Sequence, residues 1–139
     1  MESNMALDAV QEIFEGMGIS SARQGANALA FSQNIRREVF EGQVFTDNDF
    51  VRIGFWLSIP RGADFGDIVV GIQLANDSLK KAHKNNRWMF YAFNRKERNL
   101  TVVARIKISS RSEINIEECK RRYKEMVSHI TDYITLIFL

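Results

Sequence analysis

The chain has 139 residues and a net charge of +2, with 45% hydrophobic and 26% charged residues, values that exclude a disordered or collagen-like chain and predict one domain over residues 1–139. No apolar run approaches the roughly 18 residues of a membrane-spanning helix, and we expect no secretory signal, because the first residues lack a basic patch and an apolar core. Because the single cysteine, Cys119, has no partner for an internal disulfide, we expect a cytoplasmic protein.

The charges are unevenly distributed along the sequence. Residues 1–70 contain five Lys/Arg and ten Asp/Glu, a net charge of −5, whereas residues 71–139 contain fourteen Lys/Arg and seven Asp/Glu, a net charge of +7. Such a split fits a basic surface for an acidic partner or nucleic acid, attraction between two copies in a dimer, or simply solvated faces. We favour solvated faces, because halves of a sequence rarely form halves of a structure.

The hydrophobic pattern predicts an α+β fold with the element order α-β-β-β-α-β-β-α, an antiparallel sheet of about five strands packed by three helices. The predicted elements are a helix over residues 5–17, strands over 27–32, 36–45 and 50–59, a helix over 64–83, strands over 88–93 and 100–108, and a helix from residue 115 onward. Residues 36–59 form a hairpin closed by the turn formers at 46–49, and residues 19–25 read as a polar turn.

The strand over residues 50–59 is the central element of the predicted sheet. Its odd positions are all large and apolar: Val51, Ile53, Phe55, Leu57 and Ile59. Its even positions are mixed: Phe50, Arg52, Gly54, Trp56 and Ser58. Since successive side chains of a strand point to opposite faces, the odd face belongs to the core. The even face is either covered by the chain's own helices or left open for a partner.

The second predicted hairpin has two unlike strands. Residues 100–108 place only apolar side chains on one face and Thr101, Val103, Arg105 and Lys107 on the other, whereas residues 88–93 are apolar on both faces. A strand of the second kind is buried on both faces or presents an apolar surface to a partner.

Two helix starts carry capping signals. Asp64 is a suitable N-cap for the second helix, and Asn115 followed by Glu118 forms a capping box before the last helix. The middle and last helices therefore have defined beginnings in the sequence.

The sequence contains no recognisable catalytic or metal-binding pattern. His83 and His129 lie in predicted helices without a Cys or carboxylate at ligand spacing, and Asp47 and Asp49 belong to a turn. Cys119 lies in the first turn of the last helix, where we expect it to be buried. Glycine-rich nucleotide motifs and the serine-hydrolase motif are absent. We therefore predict no enzyme, no catalytic residues, no metal and no cofactor.

Nucleic-acid binding is the main alternative class. The second hairpin and the last helix are basic, and one hairpin face offers cations beside Tyr91 and Phe93 for base stacking: Arg95, Lys96, Arg98, Arg105, Lys107 and Arg111. Against this alternative, the net charge is small, acidic residues fill the first half, and no RNA-binding motif is present.

The order of elements resembles the type III secretion chaperone-like fold, and within it the YbjN-like family. The likeness covers most of the chain and rests on Leu74-Ala75-Asn76 in the second helix, the two strands of the second hairpin, and residues 114–118 at the last helix. It implies a small cytoplasmic α+β protein, usually a homodimer, that binds proteins on apolar patches. Secretion chaperones of this fold tend to be acidic, whereas this chain is slightly basic, so a regulator, an immunity-type protein or a phage inhibitor is an alternative.

We therefore predict a non-catalytic domain, chaperone-like or regulatory, that forms a homodimer and captures a protein partner. The predicted partner-binding residues are Phe50, Trp56, Tyr91 and Phe93, with Arg52 and Arg105 as charged contacts at the rim.

Overall fold

Three helices pack against one face of a six-stranded antiparallel sheet across residues 2–47, 49–108 and 114–138, the residues that the computed structural model describes. The side chains of residues 2–4 and 138 lie outside this description. The helices are α1 (Glu2–Gly16), α2 (Phe65–His83) and α3 (Ile116–Phe138). The strands are β1 (Ser21–Arg23), β2 (Ala28–Ile35), β3 (Glu38–Thr46), β4 (Phe50–Ser58), β5 (Met89–Asn94) and β6 (Asn99–Lys107). Within these residues no helix is both long enough and apolar enough to cross a membrane.

The strand order in the sheet is β1-β2-β3-β4-β6-β5, and every neighbouring pair is antiparallel. β4 lies in the interior between β3 and β6, as the sequence predicts for residues 50–59. The α+β class, the order of the three helices and the two predicted hairpins are confirmed.

The sheet has one strand more than the sequence pattern predicts. Residues Ser21–Arg23, in the segment predicted to be a turn, pair with β2 so that Ser21 lies opposite Phe31. A three-residue polar edge strand has no hydrophobic alternation, so the sequence pattern carries no signal for it. The boundary between β2 and β3 also differs from the prediction, in which a strand begins at residue 36. Arg36 and Arg37 adopt φ angles of 52° and 68° and form the β2–β3 turn.

The core lies between the helices and the sheet, and aromatic rings form its centre. Phe14 of α1 packs on Phe31 of β2 at 4.8 Å between ring centroids, and Phe31 packs on Phe55 of β4 at 5.3 Å. Tyr123 of α3 closes the cluster at 5.1 Å from Phe14. Its hydroxyl donates a hydrogen bond to Gln33 Oε1 at 2.8 Å, so its burial leaves no unpaired polar group. The prediction that the odd positions of β4 face the core is confirmed.

Helices α2 and α3 approach each other closely at Gly71. A Cβ atom at this position would lie 2.8 Å from the carbonyl oxygen of Leu136 and 2.9 Å from Cα of Ile137, so only glycine fits without a shift of α3. This contact seats the last turns of α3 on α2, where Ile134 and Ile137 are buried.

Both predicted N-cap residues are confirmed, but the Glu118 carboxylate pairs with Arg121 and Arg122, so the reciprocal bond of the predicted capping box is not seen among the described residues. The carboxylate of Asp64 accepts hydrogen bonds from the backbone N–H of Gly66 at 2.7 Å and of Asp67 at 3.2 Å. Asn115 Oδ1 accepts a hydrogen bond from the backbone N–H of Glu118 at 2.9 Å. These bonds satisfy N–H groups that have no partner within the first helical turn.

Candidate protein-binding surface

The face of the sheet opposite the helices is not covered by any element that the structure describes. The buried side chains of β2, β3, β4 and β6 all lie on the helix side and join one core cluster with the three helices. We call the other side the open sheet face. Its side chains on the three central strands are Glu41, Gln43 and Phe45 of β3, Phe50, Arg52, Gly54 and Trp56 of β4, and Thr101, Val103, Arg105 and Lys107 of β6.

The even positions of β4 lie on the open sheet face rather than under the helices. Phe50, Arg52 and Trp56 are partly exposed, with no helix over them among the described residues. Arg105 of β6 is also partly exposed and lies directly opposite Arg52 in the antiparallel ladder. Four of the six predicted contact residues therefore share one continuous surface.

One end of this surface is cationic around a single aromatic ring. The guanidinium carbon of Arg105 lies 5.0 Å from the ring centroid of Phe50, and that of Arg52 lies 5.5 Å from it. Lys107 is directly opposite Phe50 on the neighbouring strand and is exposed. We call Phe50, Arg52, Arg105 and Lys107 the cationic cluster. Its geometry fits cation–π contacts, which hold both guanidinium groups beside the ring.

A turn aspartate connects to this cluster. Asp47 Oδ1 accepts hydrogen bonds from the backbone N–H of Asp49 at 2.9 Å and of Phe50 at 2.8 Å, while Oδ2 pairs with Arg52 Nε at 2.9 Å. The Asp49 N–H bond, together with the Arg52 guanidinium, lowers the pKa of Asp47 below its usual value. Asp47 is therefore a turn-forming carboxylate, as predicted; Asn48 of the same turn lies outside the described residues.

Apolar side chains adjoin the cationic cluster, since Phe45 of β3 lies directly opposite Arg52. The rings of Trp56 and Phe45 meet edge to face at 5.9 Å between centroids, and Val39 of β3 is 62% exposed. Phe45 and Val39 extend the patch beyond the predicted residues. The alternation of β3 predicts that Val39 and Phe45 lie on the exposed face, because the buried Phe40 and Val44 occupy its even positions.

Tyr91 and Phe93 do not belong to this surface, which corrects the predicted contact set. In the β5–β6 ladder Tyr91 lies opposite Val102 and Phe93 opposite Leu100, and both of these β6 residues face the core. Tyr91 is only 3% exposed, and Phe93 packs partly buried against Phe65 at 5.4 Å. Neither ring can join Phe50 or Trp56 in one contact, because the sheet lies between them.

Tyr91 instead forms part of a polar connection between β5 and the helices. Asn76 of α2 hydrogen-bonds both the backbone N–H and the carbonyl of Tyr91, at 2.9 and 3.0 Å. The Tyr91 hydroxyl lies 2.8 Å from His129 Nδ1, and His129 Nε2 lies 3.4 Å from Ser78 Oγ. The side chain of Asn76 thus covers part of the β5 edge, a position at which another strand would otherwise pair.

Burial lowers the pKa of His129 below its usual value, against the opposing effect of the Asp132 carboxylate. The folded protein therefore favours neutral His129, and this contribution to stability is fully present above about pH 6.5. This contribution to stability is lost as the pH falls below about 6.5 and through the lowered pKa of His129. Burial also lowers the pKa of His83 below its usual value.

We expect the urea concentration at the unfolding midpoint to decrease when the pH is lowered from 7.5 to 5. The decrease should be smaller in a His129→Gln variant, whose amide keeps a polar contact to Tyr91. Urea unfolding followed by circular dichroism at each pH measures both. The remaining pH dependence of the variant includes the contribution of His83. An identical pH dependence in the two proteins would contradict this role of His129.

The remaining titratable candidates give no catalytic arrangement in the part of the chain that the structure describes. Cys119 is completely buried, and burial raises the pKa of its thiol to about 12, so the thiolate is disfavoured. No group of three His, Cys, Asp or Glu side chains among the described residues is placed to hold a metal ion.

The cations named for the nucleic-acid alternative do not form one face. Arg95 and Arg98 lie over Phe65, at 5.8 and 4.8 Å from its ring centroid, beside the partly buried Phe93. Arg105 and Lys107 lie at the opposite end of β6, on or beside the open sheet face. Arg111 lies outside the described residues. The structure therefore separates the set into two groups.

No protein-family model matches the chain, and no curated protein sequence matches it either. Solved structures share its fold. YbjN from E. coli, a proposed transcription regulator, has a TM-score of 0.63 at 12% identity, covering 95% of this chain and 89% of YbjN. A chain of the HopA1–SchA chaperone–effector complex has a TM-score of 0.58 at 10% identity, covering 91% of both chains. The chain therefore has the YbjN-like, type III secretion chaperone-like fold that the sequence predicts.

Proposed function

We propose that this chain is a non-catalytic protein-binding domain, chaperone-like or regulatory, that captures a protein partner on its open sheet face and acts as a homodimer. The observation that carries the proposal is the sheet itself. Its interior strands present Phe45, Phe50 and Trp56 on a side that no described element covers. Exposed apolar surface that is continuous and bordered by charge is typical of interaction sites.

The likeness to solved structures supports the same class of function. One of the similar structures is a chaperone–effector complex, which is an assembly of two proteins, and the other is a proposed transcription regulator. Both fit a domain that works through binding. This proposal includes a cytoplasmic location and a bacterial or phage source. A role as an immunity-type protein or a phage inhibitor is a variant of the same proposal.

A second apolar patch supports the homodimer. Val70 and Leu74, one helical turn apart on α2, are 56% and 50% exposed, and Leu136 of α3 is 52% exposed. Gly71 brings the backbones of these two helices together, which places Leu136 beside α2. A dimer formed through this helical patch would leave both open sheet faces free to bind partners.

Nucleic acid is the second candidate, because the cationic cluster offers Arg52, Arg105 and Lys107 next to an aromatic ring. We favour a protein partner for two reasons. The predicted stacking residues Tyr91 and Phe93 lie on the helix side, and Glu41 and Asp47 border the open sheet face with negative charge.

The proposal predicts that Phe50→Asp and Trp56→Asp abolish partner capture while the protein stays folded. Both side chains are partly exposed, so a charge there disrupts an apolar contact without entering the core. Affinity capture from the source cell, read by mass spectrometry, compares the proteins that each variant retains. Photo-crosslinking from position 56 then identifies which of them contacts the sheet.

Ile116→Asp is the matched control. Ile116 is 51% exposed in the first turn of α3, where an acidic residue suits the helix dipole, so the same charge is introduced away from the sheet. It should capture the same proteins as the unmodified chain. Equal capture by all three variants would show that the open sheet face is not the binding site.

A further inference from the structure

The cationic cluster contains two arginines at a position where a sheet ordinarily avoids like charges. Arg52 of β4 and Arg105 of β6 lie directly opposite each other in an antiparallel ladder, and like charges in such pairs repel. Asp47 pairs with Arg52 alone. Among the described residues no ion pair joins Arg105 or Lys107 to a carboxylate. The described residues therefore carry a net positive charge on this part of the sheet.

Both guanidinium groups are held in place but retain donors. Arg105 Nη2 donates to the carbonyl of Arg87 at 3.3 Å, and Arg52 Nε donates to Asp47 at 2.9 Å. A guanidinium has five N–H donors, so most donors of each group remain for another acceptor. Arginine donors recognise carboxylates with paired, charge-assisted hydrogen bonds.

Apolar rings lie next to these donors, since Phe45 of β3 is directly opposite Arg52 and its ring meets that of Trp56 at 5.9 Å. Gly54 follows Arg52 on the same face, between Gln43 of β3 and Val103 of β6. A Cβ atom at Gly54 would have only ordinary contacts, 3.5 Å from the Val102 carbonyl oxygen and from Val103 Cγ2. Gly54 itself is buried, so a partner side chain would contact the Phe45 and Trp56 rings beside it.

We propose, building on the protein-binding function above, that the cationic cluster binds an acidic segment of the partner, with Asp or Glu side chains flanking an apolar residue. The carboxylates pair with Arg52 and Arg105, and the apolar side chain packs against the rings of Phe45 and Trp56. Phosphates of a nucleic acid fit less well. The Phe50 ring already carries two guanidinium groups within 5.5 Å, which compete with a stacked base.

The test uses a labelled peptide of alternating Glu and Leu, and the same peptide with Gln in place of Glu. We expect the acidic peptide to bind the full chain about tenfold more tightly than the Gln peptide, the size of one charge-assisted contact, and more weakly at high salt. Arginine side-chain NMR signals of Arg52 and Arg105 should shift on binding. Arg105→Glu should remove the preference for the acidic peptide.

Arg95→Glu is the matched control, because it makes the same charge change at an exposed position in the β5–β6 turn, away from the cationic cluster. It should bind the acidic peptide as the unmodified chain does. Equal loss in both variants would show a general effect of net charge and overturn the inference. Tighter, competing binding of single-stranded oligothymidine would overturn it in favour of nucleic acid.

The peptide results also separate this inference from the proposed function. If both peptides bind equally and Trp56→Asp abolishes the binding, the open sheet face binds protein without selecting acidic segments, and only the present inference fails. If the acidic peptide does not bind, the inference is wrong. If Trp56→Asp also captures the same cellular proteins as the unmodified chain, the proposed function fails as well.

Discussion

Replacing Phe55 by alanine is expected to lower the free energy of unfolding by about 3–5 kcal/mol, because truncation of a fully buried aromatic ring leaves a cavity. Phe55 is completely buried at the centre of the sheet, in ring contact with Phe31, Phe40 and Tyr123. The neighbouring Trp56 points to the open sheet face. We expect Trp56→Ala to cost only about 1 kcal/mol, since this ring is partly exposed and leaves no closed cavity.

Urea unfolding of the two variants measures this difference directly, because consecutive residues of one strand test its two faces. The pair also decides whether the open sheet face is accessible in solution. A loss of 3 kcal/mol or more in Trp56→Ala would indicate that something covers this face. That result would also remove the surface on which the proposed function depends.

The alternation in the sequence is sufficient to predict both faces of β4 and β6. The odd positions of β4 and the even positions of β6 are apolar, and the structure buries them under the helices, Leu57 only partly. Helix starts are equally clear, since Asp64 and Asn115 form the bonds expected of N-caps. These features are predictable because they depend on residues that are close in sequence.

The orientation of β5 could not be predicted from its own composition, because each of its positions predicted as strand is apolar or aromatic. Its register is set by the β5–β6 turn, in which Asn94 pairs with Asn99 across residues 95–98. One residue more in this turn would move Tyr91 and Phe93 to the open sheet face. The clean pattern of β6 and the exact turn length are both needed to place them correctly.

Gly42→Ala is expected to destabilise the protein by about 1–3 kcal/mol, although alanine normally suits a strand better than glycine does. A Cβ atom at position 42 would lie 2.4 Å from Cζ of the Phe31 ring, which lies over Gly42 on the neighbouring strand. Phe31 cannot move away easily, because Phe14 and Phe55 pack against it at 4.8 and 5.3 Å. The added methyl group therefore strains the aromatic centre of the core.

Gly54→Ala provides the matched control, since Gly54 lies on the adjacent strand but faces the open side of the sheet. Its added Cβ would make only ordinary contacts at 3.5 Å, so the lower entropy of the unfolded chain should leave this variant as stable as the original or up to about 1 kcal/mol more stable. Thermal and urea unfolding of both variants give the comparison. Equal stability of Gly42→Ala and Gly54→Ala would mean that Phe31 does not pack over Gly42. The two glycines therefore test the assignment of the two faces without changing any apolar side chain: the helix side has no space for a methyl group, whereas the open side accommodates one.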